Sequence, residues 1–161
     1  MIEGRWGGKY LFQCFEPNLE GFYAYVDVEI EEAPKDWHFE VQATKIPKGA
    51  FKGSAVAGKS SELNKNYAVL DSEDLDWADK RNNSEKNSGK FGLQVGATHE
   101  FGHMIGLGDE YPDKKPGITH ATLVKNMLGK TISEGRTNEI MSIGDHIGQQ
   151  HYVTFLEALK K

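Results

Sequence analysis

Residues 93–107 pose a problem that few folds can solve. The segment is apolar at Val95, Ala97, Phe101, Met104, Ile105 and Leu107, yet it carries His99, Glu100 and His103 in its middle. Read as a helix that stops near Gly106 and Gly108, it belongs in an interior. Two imidazoles and a carboxylate are costly there unless something satisfies them. Residues four apart share one helix face about one turn apart, so both imidazoles can reach a single ion. Neutral imidazole is a good zinc ligand, and a catalytic zinc keeps three protein ligands with one open position for water. Glu100, beside the first histidine, is placed to take a proton from that water. The plainer alternative is a solvated His/Glu face, and the apolar surroundings argue against it.

The motif continues. After His103 come Met104, Ile105, Gly106, Leu107, Gly108 and Asp109, giving His-Glu-x-x-His-x-x-Gly-x-x-Asp. This resembles the long zinc signature of the metzincin metallopeptidases, in the aspartate form of their snapalysin-like minority. The resemblance implies that Gly106 turns the chain sharply out of the helix and that Asp109 returns as third ligand. Read without it, Asp109 is a turn residue in Gly-Asp-Glu-Tyr-Pro, and Glu110 is the nearest competitor as ligand. Downstream, Glu139-Ile140-Met141-Ser142-Ile143-Gly144 resembles the methionine-bearing turn of the same family. Met141 is then a soft floor beneath the ligand histidines rather than an ordinary core methionine. Ile143 stands where some metzincins have a metal-binding tyrosine, so that feature is absent. The likeness covers roughly residues 93–159.

The rest of the chain divides by texture. Tyr10-Leu11-Phe12, residues 22–30 and residues 37–43 alternate with period two and read as strands. Tyr67-Ala68-Val69-Leu70 reads as a further strand at a sheet edge. Residues 79–90 are polar and read as a surface loop. Beyond the motif, residues 120–128 form a helix ended by Gly129, and Tyr152, Phe155, Leu156 and Leu159 fall at helical spacing. The expected fold class is α+β: a twisted N-terminal β-sheet, then active-site helix, Met-turn and C-terminal helix.

A length of 161 residues fits one domain with a modest core. Met1-Ile2-Glu3-Gly4-Arg5 contains a recognition sequence used for tag removal, so residues 1–5 read as an engineered remainder and residues 6–161 as a single catalytic domain. Localisation is not legible from such a start; an exported, effector-like protein is the leading expectation. A net charge of -5 without a basic patch argues against nucleic acid, and no apolar run approaches a membrane span. A monomer is expected. Cys14, the only cysteine, excludes an internal disulfide and reads as a buried strand residue.

Weaker constellations remain. Asp71, Glu73, Asp74, Asp76 and Asp79 form an acidic cluster without the Asp-x-Asp-x-Asp-Gly calcium loop, and a solvated acidic loop outranks calcium. His146, His151 and Tyr111 are candidates for substrate binding or oxyanion stabilisation, beside the plainer reading of surface or helix-start residues. His120 and His38 read as structural or exposed.

Together these readings imply a zinc metalloendopeptidase with one catalytic zinc, Glu100 as general base, and a peptide or protein substrate paired along an edge strand. The rivals are a zinc hydrolase acting on a peptidoglycan-type amide, a β-rich binding module, and a domain stapled by structural zinc. In the last case Asp113, Asp145, His146 or His151 would close the fourth position.

Overall fold

The computed structural model describes residues 1–14, 17–50, 52–57, 66–81, 83, 86, 88–90, 92–110, 119–132 and 138–159. Among these the chain is mixed α and β, with small sheets in the first half and the longer helices in the second. Residues 1–5 together with Trp6 supply the first helix, α1 (Ile2–Trp6). Arg5 pairs with Asp145 at 2.9 Å. Trp6 is fully buried, and its indole Nε1–H donates to the Thr98 carbonyl at 3.1 Å.

β1 (Leu11–Gln13) and β2 (Tyr23–Tyr25) form an antiparallel pair with Leu11 opposite Tyr25. The strand expected over residues 22–30 is therefore cut to three residues. Beyond it, backbone donors are taken by carboxylates: Val28 N–H donates to Asp27 Oδ1 and Ile30 N–H to Glu3 Oε1. Side chains that offer the backbone such partners compete with a ladder. Cys14 lies just past β1 and is half-buried rather than buried.

β3 (Glu40–Thr44) runs parallel to β5 (Tyr67–Asp71), and β4 (Ala55–Ala57) pairs antiparallel on the other side of β5. This corrects the expectation that Tyr67–Leu70 is an edge. Its unbroken apolar run suits a strand with partners on both sides, and Ala68 is fully buried there. The acidic cluster is also partly corrected, because Asp71 and Asp74 are buried. They cap a 3-10 turn, Ser72–Leu75: Asp71 accepts the Glu73 N–H, and Asp74 accepts the Asp71 N–H and the Ser54 hydroxyl.

β6 (Trp77–Asp79) pairs antiparallel with β7 (Leu93–Val95). The motif helix α2 (Gly96–Met104) thus starts later than its apolar pattern predicts, since β7 takes the first three residues. Gly96 allows the join: a Cβ there would overlap the Asp74 carboxylate. α3 (His120–Leu128) runs as expected, with Thr119 Oγ1 accepting the Thr122 N–H and Gly129 closing it at φ 65°. A 3-10 turn, Gln149–Tyr152, leads into α4 (Val153–Ala158).

The core lies behind α2 and is built by Trp6, Leu107, Val124, Met141, Tyr152 and Val153, among others. Each such side chain contributes on the order of 1.5–3 kcal/mol when fully buried. Among the described residues no helix is long and apolar enough to cross a membrane.

Candidate metal centre

α2 ends in a way that brings its own continuation back over it. Gly106 N–H donates to the His103 carbonyl and Leu107 N–H to the Gly102 carbonyl, both at 3.0 Å, with Gly106 at φ +91°. This is the paired closure of a Schellman motif, and a residue with a Cβ would be strained at that φ. Three residues after Gly106, Asp109 faces the two histidines. Its Oδ1 stands 3.2 Å from His103 Nε2 and 3.5 Å from His99 Nε2, and the two Nε2 atoms are 3.2 Å apart.

The outer hydrogen bonds decide what these atoms are. His99 Nδ1 lies 2.7 Å from the Ile140 carbonyl and His103 Nδ1 2.9 Å from the Leu107 carbonyl. A carbonyl only accepts, so each Nδ1 carries the hydrogen and each neutral ring turns a lone pair on Nε2 toward its partner. Two lone pairs and a carboxylate oxygen that makes no hydrogen bond of its own therefore converge on one point. Such an arrangement repels itself unless a cation sits at its centre. A tetrahedral ion with bonds of about 2.0–2.1 Å holds its donors about 3.3 Å apart, which is the spacing seen. Carbonyls that orient ligand imidazoles through Nδ1 are the usual outer support of a metal site.

A proton on His103, held toward Asp109, is the competing way to relieve that repulsion. Burial raises the Asp109 carboxyl, but His103 and His99 outweigh it and hold the group well below the usual carboxylate range. Burial lowers His103, but the Asp109 carboxylate and the Leu107 carbonyl outweigh it and push the imidazole up. Glu100 moves upward, chiefly through burial, and the neighbouring imidazoles pull it only part of the way back. It lines, with the three donors, an open cleft of about 580 Å³ whose lining also includes Ser54, Ala55 and Val56.

The turn at Met141 packs against α2. This side chain is fully buried and packs so closely under α2 that a Cβ on Gly102 would overlap its sulfur. The turn is tied by Gln94, whose amide Nε2 lies 2.8 Å from the Ile140 carbonyl, 3.0 Å from Ser142 and 2.8 Å from Gly144. The Ile140 carbonyl thus serves both Gln94 and His99. Sequence reasoning missed Gln94; its one signal is a polar residue inside the apolar approach to the motif.

Other candidates fall elsewhere. His146 is exposed and does not line the cleft; its backbone N–H donates to the Asn138 carbonyl, and its own carbonyl accepts the Ile140 N–H. His151 is wholly buried, away from the cleft lining, with His120 and Glu110. Substrate contact through these two histidines is therefore corrected: one supports the Met141 turn through its backbone, and the other belongs to the interior. His120, expected to be structural or exposed, is buried, and burial lowers its pKa to about 4, while His38 is exposed. Glu110, the competitor of Asp109, turns away from His99 and His103 to join His120 and His151. Asp145 is engaged by Arg5. Tyr111 and Asp113 lie outside the described residues.

No protein-family model, curated protein or solved structure matches the chain. The geometry alone carries the functional reading.

Proposed function

We propose that this protein is a zinc-dependent hydrolase whose ligands are His99, His103 and Asp109. More narrowly, it is read as a metalloendopeptidase of the metzincin type, with Met141 beneath the ligands. The observation that carries this reading is the convergence of two Nε2 lone pairs and an Asp109 oxygen at 3.2–3.5 Å on the floor of an open cleft. A zinc ion held by these donors would supply an acidified water and polarise a scissile carbonyl.

The chain's own residues supply the rest. Glu100 faces the same cleft, and its carboxylate accepts a proton from the attacking water and returns it to the leaving amine. The cleft is also lined by Ala55 and Val56 of β4, which among the described residues has no strand on its far side. An extended peptide adding to that edge would lie across the ligands, so β4 replaces β5 as the docking strand. An amide of the peptidoglycan class would meet the same groups. A purely structural zinc fits less well, because a staple has no use for an open cleft beside a buried carboxylate.

The test is Glu100→Gln, which keeps size and hydrogen bonding but removes the base. It should fold, retain zinc and lose roughly 10²–10⁴-fold in turnover against a broad peptide library. Native turnover in a zinc-loaded Glu100→Gln protein would refute the mechanism.

A further inference from the structure

Glu110, His120 and His151 form a second convergence of donors, outside the cleft and with side chains no more than 1% exposed. Glu110 Oε1 lies 3.2 Å from His151 Nε2 and 3.6 Å from His120 Nε2. The two rings stack at 5.2 Å between centroids and 23° between planes. These separations bracket the spacing of about 3.3 Å that a tetrahedral ion imposes on its ligands, as the first cluster does.

His120 gives the second, independent observation. It is wholly buried, yet neither ring nitrogen makes a hydrogen bond. Buried polar groups are nearly always satisfied, and an ion between the three donors would satisfy this one. His120 is also the first residue of α3, at the positive pole of that helix, which disfavours imidazolium and favours the neutral, ligating ring. His151 is oriented from behind: Gly148 N–H donates to its Nδ1 at 2.8 Å, leaving Nε2 to face Glu110.

We propose that Glu110, His120 and His151 bind a second metal ion of the zinc class, structural rather than catalytic. Imidazole and carboxylate donors suit zinc, and the burial of all three side chains leaves no approach for a substrate. With Nδ1 of His151 accepting, the neutral ring carries its proton on Nε2. Ligation through Nε2 calls for the other tautomer, with the proton moved to Nδ1 and the Gly148 N–H giving up that acceptor, and uptake weakens as pH falls because both imidazoles must be neutral. The ion would fasten three separate parts of the chain: the segment leaving α2, the start of α3 and the turn before α4. Asp109 and Glu110, adjacent in sequence, would then serve different ions.

The experiment is zinc titration of the chelator-treated full chain, with ions per chain counted by native mass spectrometry and Tm followed alongside. The wild type should take two ions. His120→Gln should take one and melt lower than the zinc-loaded wild type. A chain carrying His99→Ala and His103→Ala should also take one and still gain Tm on loading. A wild type that takes a single ion, lost in the His99/His103 variant and kept by His120→Gln, overturns this inference and leaves the catalytic reading standing. A single ion lost in His120→Gln but kept by the other variant supports it and overturns the catalytic site instead. Should His120→Gln fail to fold, the wild-type stoichiometry decides: two ions support the inference, and one overturns it.

Discussion

Gln94→Glu changes one NH2 group to an oxygen and little else. In the native chain that NH2 group faces three carbonyls, Ile140, Ser142 and Gly144, each within 3.0 Å. It has two hydrogens, so about two net hydrogen bonds of roughly 1 kcal/mol each are removed. The replacement oxygen, when ionised, also presents negative charge to three carbonyl dipoles in a buried site. Leaving buried acceptors unsatisfied adds on the order of 1–3 kcal/mol. The expected loss near neutral pH is about 3–5 kcal/mol, a large part of the roughly 5–15 kcal/mol that holds a domain together. The introduced carboxyl can relieve the conflict by staying protonated, so its folded pKa lies above its unfolded value. Between those two values the folded state binds more protons than the unfolded state, so the variant loses stability relative to wild type as pH rises through that window. Urea denaturation at a series of pH values measures this. Because the Ile140 carbonyl also orients His99, zinc affinity should fall with stability. Equal stability of variant and wild type at every pH, with unchanged zinc affinity, would show that Gln94 does not tie the turn.

Gly102→Ala should cost about 1–3 kcal/mol through overpacking, because its Cβ would overlap the buried Met141 sulfur; thermal melting reads the loss. Asp109→Ala should weaken zinc retention while Asp109→His preserves it, measured by competition with a chromogenic chelator; equal affinity in the alanine variant would remove Asp109 from the ligand set. Burial lowers His120 to about 4 from an ordinary 6.5, so below the ordinary value the unfolded chain binds the extra proton. In the presence of chelator, stability should therefore fall as pH drops from 6.5 toward 4 and the His120 contribution should then level off, a loss on the order of 3 kcal/mol by denaturant titration.

The parts legible in the sequence were those with local causes. The His99–His103 spacing, the left-handed Gly106 and the stop at Gly129 each follow from a few neighbouring residues. The helix start was not legible, because a short apolar run such as Leu93–Val95 suits a buried strand as well as a helix turn. The sheet edge was missed for a related reason: Ala55–Ala57 is too short to show a period, and only its pairing reveals it. The Glu110, His120 and His151 cluster has no local pattern, since its members lie on three separate segments. Its trace in sequence is His120 standing four residues before Val124, on the face of α3 that turns inward.

Time is built into the site. The carbonyl that orients His99 lies 41 residues downstream, at Ile140, and the hydroxyl that fastens Trp6 behind the same helix belongs to Tyr152, 146 residues from it. A ribosome adding about 5–20 residues each second reaches Ile140 on the order of 2–8 s after His99. During that interval the motif helix has neither Met141 packed against Gly102 nor the carbonyl that bonds His99. The site thus completes only after residues 140 to 152 have emerged. A nascent chain halted between residues 110 and 138 would carry the motif entire and hold it in no working shape.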